Sequence, residues 1–274
     1  MRIVCLIENA PGPAGIRHEH GLSVYFETDR HRILADTGAG EGFVHNAALL
    51  GVDLSGVDLL FLSHGHYDHA GGIPAFAAVN PRAEIYLQKT AGLDYYGLDP
   101  EGPRYIGIDK SILTLPRLHL LEGGADVDEE VSILAGFPGR RCWSKSNLRL
   151  ARREGGAMVQ DSFDHEQALV IRQEGKCLLF SGCAHNGILN ILDRFREEYG
   201  RDPDLVIGGF HFMKGSAYTE AELRDIEETA RELAGMDTQF YTGHCTSLPG
   251  YEIMERIMGE KLHALHSGME IPGR

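Results

Sequence analysis

The stretch VDLLFL (57–62) runs straight into SHGHYDHAGG (63–72). The first part is an unbroken apolar run and reads as a strand buried on both faces. The second part sets His64, His66, Asp68 and His69 within six residues. Three imidazoles and a carboxylate cannot share a core unless a cation meets their desolvation and hydrogen-bonding demands. In an extended turn His64 and His66 can point to one side, while Asp68 and His69 reach a second point. That supplies part of two adjacent metal sites, and borderline metals accept imidazole nitrogen and carboxylate oxygen. The competing reading of these residues is a polar surface loop.

Working outward, Ile3–Ile7 reads as a strand, and LSVYFE (22–27) and HRILAD (31–36) as a hairpin turning at Thr28-Asp29-Arg30. Gly42–Leu50 and Ile73–Val79 are helix candidates, and Glu84–Leu87 a strand. Residues 90–165 mix Gly, Pro and charge with weak periodicity. They read as an insertion near the site within one domain spanning 1–274, with short strands at Leu118–Glu122 and Val131–Leu134. Gln167–Arg172 and Lys176–Phe180 form a second hairpin around Glu174-Gly175. Ile188–Tyr199 is an amphipathic helix, and Asp204–Ile207 and Gln239–Thr242 are strands. Thr219–Leu233 is a helix opened by a Thr219/Glu222 capping box. Gly250–Met258 reads as the closing helix.

The chain has 274 residues, 43% hydrophobic and 24% charged, which are globular values. Its 26 Lys and Arg against 40 Asp and Glu leave a formal charge of −14. Such a surface repels phosphate backbones and anionic lipid, so neither nucleic acid nor membrane is expected as a partner. No apolar run approaches the ~18 residues of a membrane span, and the first residues read as a strand rather than a signal peptide. Cys5, Cys142, Cys177, Cys183 and Cys245 are odd in number and form no CxxC, which points to free thiols in a reducing cytoplasm. Arg140-Arg141 and Arg152-Arg153 read as solvated charge, with contact to a substrate phosphate as the alternative.

HGHYDH, preceded by LLFLS and by ILADTG (33–38), resembles the metallo-β-lactamase superfamily. EHGLS (19–23), SGCAH (181–185), GGFH (208–211) and GHC (243–245) narrow the likeness to the branch that includes 7,8-dihydropterin-6-methyl-4-(β-D-ribofuranosyl)aminobenzene-5′-phosphate synthase. The resemblance implies an α/β fold, a four-layer αββα sandwich, with metals held by loops at one rim. It implies His64, His66, Asp68, His69, His185 and His244 as ligands of one or two divalent ions, zinc first, with manganese and iron as alternatives. The superfamily usually places an aspartate at the end of the strand that here reads CLLFSGCAH, so Cys183 stands in its position. Cys183 then either binds as thiolate or is a small buried residue. His165 in SFDHEQAL is the alternative to His185 as the missing ligand. His211 is open to metal binding, acid/base work or substrate contact, and His20 to packing or a place facing the site. Asp36 is expected beneath the HGHYDH loop, fixing a ligand histidine.

The function that follows is metal-dependent hydrolysis. A divalent ion lowers the pKa of bound water to about 7, and the resulting hydroxide attacks an ester or phosphoester of a small, possibly phosphorylated molecule. Asp68 is a candidate general base where it does not bind metal, and His211 a candidate for steadying the oxyanion. A synthase-like transferase, iron redox chemistry and a non-catalytic metal-binding protein are the rivals. Oligomeric state is not legible.

Overall fold

The computed structural model of the chain describes residues 1–273. Among these residues the strands form two seven-stranded sheets and a separate four-stranded one. The first sheet runs Glu270–Pro272, Arg2–Ile7, Ser23–Glu27, Arg32–Ala35, Leu59–Phe61, Glu84–Gln88 and Leu118–Leu121. The second runs Leu262–Ala264, Gln239–Thr242, Leu205–Gly208, Lys176–Ser181, Gln167–Gln173, Val131–Ala135 and Ala125–Asp126.

Alternation along each strand decides what it faces. Leu178 and Phe180 join the core between the sheets, while Cys177 and Leu179 face the helices Ile188–Tyr199, Glu220–Ala234 and Leu248–Met258. In the first sheet Leu59 and Phe61 turn inward, and Leu60 packs with Phe43 and Phe76 of the helices Gly42–Leu49 and Ile73–Val79. Helices therefore cover the outer face of both sheets, which is the four-layer αββα arrangement. Phe180 lies at its centre, edge-on to Phe26 at 5.9 Å and to Phe61 at 6.2 Å. Such a fully buried ring contributes about 3–5 kcal/mol against alanine.

Local signals act where the sequence places them. Thr219 and Glu222 form the reciprocal capping box. Glu174 and Gly175, at φ 51° and 75°, make the tight left-handed turn between Gln167–Gln173 and Lys176–Ser181. Within 90–165, the two expected strands form at Leu118–Leu121 and Val131–Ala135, each in a main sheet. The third sheet pairs Tyr95–Asp99 with Gly102–Tyr105 on one side and Leu150–Glu154 on the other, with Ala157–Gln160 outermost. Leu248–Met258 does not close the chain as expected. Leu262–Ala264 and Glu270–Pro272 follow it and add one edge strand to each main sheet, each too short to carry a periodic signal.

Candidate metal centre

Parallel pairing brings the histidine loops together. Ser181, Gly208 and Thr242 lie side by side across three neighbouring strands. Cys183, His211 and His244 follow within three residues of that row. In the other sheet Ala35 pairs with Phe61, so Asp36 and the HGHYDH loop leave at the same rim. The two rims nearly touch at Gly182, where a Cβ would stand 2.1 Å from Ser63 Oγ and 2.9 Å from Asp36 Oδ2.

His64, His66 and His185 form one cluster, with ring centroids 4.6 to 4.8 Å apart. Hydrogen bonds settle where the protons are. Asn147 Nδ2 must donate to the His185 carbonyl (2.8 Å), so its Oδ1 faces His185 Nδ1 (3.0 Å), which must carry the hydrogen. Ser63 Oγ donates to Asp36 Oδ2 (2.7 Å) and so accepts from His64 Nδ1 (2.9 Å). In the neutral rings both Nε2 atoms are then bare lone pairs, and they face each other at 3.2 Å. Burial, reinforced by the neighbouring imidazoles, holds His64 and His185 well below the usual histidine range and His66 down to about 3. His66 Nε2 is buried without a partner.

Asp68, His69 and His244 form the second cluster. His69 Nδ1 donates to Asp36 Oδ2 at 2.7 Å, which aims Nε2 at His244 Nε2 (3.1 Å) and Cys183 Sγ (3.2 Å). His244 Nδ1 is held by Asn9 Oδ1 (2.9 Å), and its Nε2 lies 3.3 Å from Asp68 Oδ2. Burial opposes a charge on His244, but the hydrogen bond it donates to Asp68 outweighs it and raises the imidazole to about 9. Burial likewise opposes ionised Asp68, but His69 and His244 keep it well below the carboxylate range. Cys183 lies between the clusters: its Sγ is within 4.8 Å of a ligand atom on His64 and His185, and likewise on His69 and His244. Burial pushes its thiol up.

The fold and this geometry can be set against known proteins. The family model for the metallo-β-lactamase superfamily matches residues 17–141. The solved structure of Tm1679, a metal-dependent hydrolase of the β-lactamase superfamily, superposes with a TM-score of 0.82 at 29% identity, covering 99% of this chain and 98% of that one. The match to the metallo-β-lactamase superfamily thus lies in residues 17–141, and the similarity to a protein of that kind extends along the whole chain. A synthase of Methanocaldococcus jannaschii, the 7,8-dihydropterin-6-methyl-4-(β-D-ribofuranosyl)-aminobenzene-5′-phosphate synthase, is 26% identical over 276 residues, covering 91% of this chain and 88% of the synthase. An uncharacterised protein of the same organism is 29% identical over 204 residues, 71% of this chain and 73% of its own length. YhfI of Bacillus subtilis shares the fold at 14% identity, with a TM-score of 0.56 and 99% of each chain covered.

The donor set fits the divalent ion that the superfamily implies. Two nitrogens at 2.0–2.1 Å from one tetrahedral ion stand roughly 3.3 Å apart, and the two Nε2 pairs here stand at 3.2 and 3.1 Å. The six residues lie together at this rim: ligand atoms of His64 and His185 meet at Cys183, those of His69 and His244 likewise, Asp68 groups with His244, and His66 groups with Asp161. His165 adjoins them, with a ring nitrogen within 4.8 Å of ligand atoms of His66 and Asp161. Its Nδ1 accepts from Gly65 N (2.9 Å) and its Nε2 bonds Asp161 (3.1 Å), so both nitrogens are engaged in supporting the loop. His20 reaches the site, with Nε2 3.3 Å from Asp68 Oδ2. His211 packs its ring 4.1 Å from His185, and its buried Nδ1 has no partner.

Several supporting residues were not visible in the sequence. Asn147 orients His185 and Asn9 orients His244. Glu166 accepts the His185 and Asn186 amides, and Glu8 accepts the His244 amide. The backbone is strained around them: Asp36, Ala184, His211 and His244 all take left-handed φ of 48–56°. Each such residue costs about 1–3 kcal/mol and persists because the surroundings impose it. A cavity of about 110 Å³ opens onto the clusters, with Tyr67, Gly97, Arg104 and Leu150 among its walls. Neither Arg140 nor Arg152 lines it. Arg141 is tied to Asp193 and Glu232, and Arg152 to Glu154 and Asp164.

Proposed function

We propose that this protein is a metal-dependent hydrolase of small molecules carrying an ester or phosphoester. The observation that carries the proposal is the pair of bare, facing imidazole lone pairs of His64 and His185 at 3.2 Å, which repel each other unless a cation lies between them. His64, His66 and His185 would hold one ion. Asp68, His69 and His244 would hold a second, with Cys183 within reach of both. Imidazole with carboxylate and thiol donors suits zinc. A bound divalent ion supplies a water that ionises near neutrality and positive charge for the developing oxyanion.

The chain's own residues supply orientation and proton control. Asp36, Ser63, Asn147 and Asn9 fix the tautomers, so that donor nitrogens rather than N–H groups face the centre. His211, with its Nδ1 buried and unpartnered, is placed to hydrogen-bond a substrate oxygen or pass a proton to a leaving group. Asp68 serves as a ligand of the second ion, and as general base when that ion is absent. Arg104, paired with Asp99 at 2.8 Å, and Tyr67 stand at the mouth, where a phosphorylated small molecule would meet them. Five free thiols suit a reducing cytoplasm. No helix among the described residues is long and apolar enough to cross a membrane.

The similarity to Tm1679 along the whole chain supports hydrolysis, and the similarity to the synthase makes transfer the rival. Native mass spectrometry should find divalent metal in the wild-type protein, with hydrolysis of at least one member of an ester and phosphodiester panel. His66→Ala should lose metal and activity together. Metal-free wild-type protein, or unchanged turnover in His66→Ala, defeats the proposal. Products joined to an aminobenzene acceptor instead of water would assign the transferase.

A further inference from the structure

A larger cavity, of about 820 Å³, shares no lining residue with the metal pocket. Leu93, Leu121, Phe137, Pro138 and Phe163 give it apolar walls, and Arg140 lines it too. That volume and lining are typical of a small-molecule site. The other lining charges are matched: Lys89 pairs with Glu122 at 2.5 Å, and Asp164 with Arg152 at 3.1 Å. Arg140 differs. Its Nη1 is held by the carbonyls of Phe137 (3.2 Å) and Gly139 (2.7 Å) and by Asn186 Oδ1 (3.1 Å), all neutral acceptors. They fix the guanidinium in place without neutralising it, on a protein whose formal charge is −14.

We propose that this cavity is a second ligand site, for a small amphiphilic carboxylate. A flat apolar body would lie against Leu93, Leu121 and Pro138, over the buried Phe137 and Phe163, and the carboxylate would meet Arg140, an orientation-fixing charge. The site adjoins the metal centre without entering it. Phe163 stacks flat on His185, with centroids 4.6 Å apart and planes 2° from parallel, and Asn186 follows His185 in the chain. Trp143, the single tryptophan, packs 6.3 Å from Phe163, so its fluorescence reports on the cavity wall.

The test is calorimetric titration of the metal-loaded, full-length protein with naphthoate, alongside Trp143 emission. Saturable binding with a change in emission is expected, and the neutral analogue naphthylmethanol should bind at least about tenfold more weakly, the worth of a charge-assisted contact. Arg140→Gln should cost naphthoate a similar factor. Leu93→Glu, at a wall position that is 41% exposed and so tolerant of charge, should do the same by repulsion. His66→Ala should leave naphthoate affinity unchanged, which separates this site from the hydrolase reading. Absence of binding at millimolar naphthoate, equal affinity in wild type and both wall variants, or loss of binding in His66→Ala would each overturn the proposal.

Discussion

Asp36→Asn replaces one oxygen by an amide on the residue that anchors both clusters. Asp36 accepts three hydrogen bonds, each 2.7 Å: from Ser63 N at Oδ1, and from Ser63 Oγ and His69 Nδ1 at Oδ2. Asparagine can adopt the φ of 56° found here almost as readily as aspartate, so backbone strain does not confound the experiment. With the amide nitrogen toward Ser63 N, two donors face each other and a buried N–H goes unpaired, at about 1–3 kcal/mol. Turned round, the amide faces His69 Nδ1, which must then accept; the His69 proton moves to Nε2 and blocks its lone pair. Both orientations also lose the charge that strengthens these bonds, so the total is about 2–4 kcal/mol. Affinity for one metal equivalent should drop about 10–100-fold. Zinc titration by calorimetry after chelator dialysis measures the affinity, and a urea midpoint the stability. Wild-type stoichiometry and affinity in Asp36→Asn would refute the tautomer reasoning for His69.

Asn147→Leu leaves the His185 Nδ1–H and carbonyl without partners. It should cost about 2–4 kcal/mol in urea denaturation and lower metal occupancy by mass spectrometry; full occupancy would show that Asn147 does not set the tautomer. Gly182→Ala forces a methyl to 2.1 Å from Ser63 Oγ where the sheets meet. A loss of about 1–3 kcal/mol with impaired metal binding is expected, and a wild-type melting temperature would count against the close approach. His31 bridges Asp128 at 2.8 Å and Asp58 at 3.1 Å. Burial opposes its charge, but those hydrogen bonds raise its pKa in the folded protein. Its stabilisation is therefore complete below the unfolded value of about 6.5 and fades as pH rises through the higher folded value. Wild type should exceed His31→Gln by about 0.5–1 kcal/mol at pH below 6, and the gap should close in alkali; a gap independent of pH would exclude the bridge.

Legibility in the sequence followed the range of the interaction. The HGHYDH loop and the strands feeding it are local patterns, and their period and turn chemistry reappear in the fold. Cys183, His185 and His244 were readable because each directly follows an apolar strand. Asn9 and Asn147 carry no such sign: an amide in a loop looks the same whether it orients a ligand or faces water. The third sheet escaped for a related reason, since Tyr96 finds Ala151 only through tertiary pairing. The role of Arg140 rests on what surrounds it, not on its neighbours in the chain.

The two clusters draw on both sheets, and this affects how the protein matures. The HGHYDH loop is finished early in synthesis, yet His244, its partner across a 3.1 Å gap, lies 175 residues downstream. At ribosomal speeds of about 5–20 residues per second, the nascent chain carries a half-built chelator for roughly 10–35 s. On the metal-site proposal, cation loading waits until residue 244 has been made, and until then the exposed imidazoles are open to whichever ion arrives first.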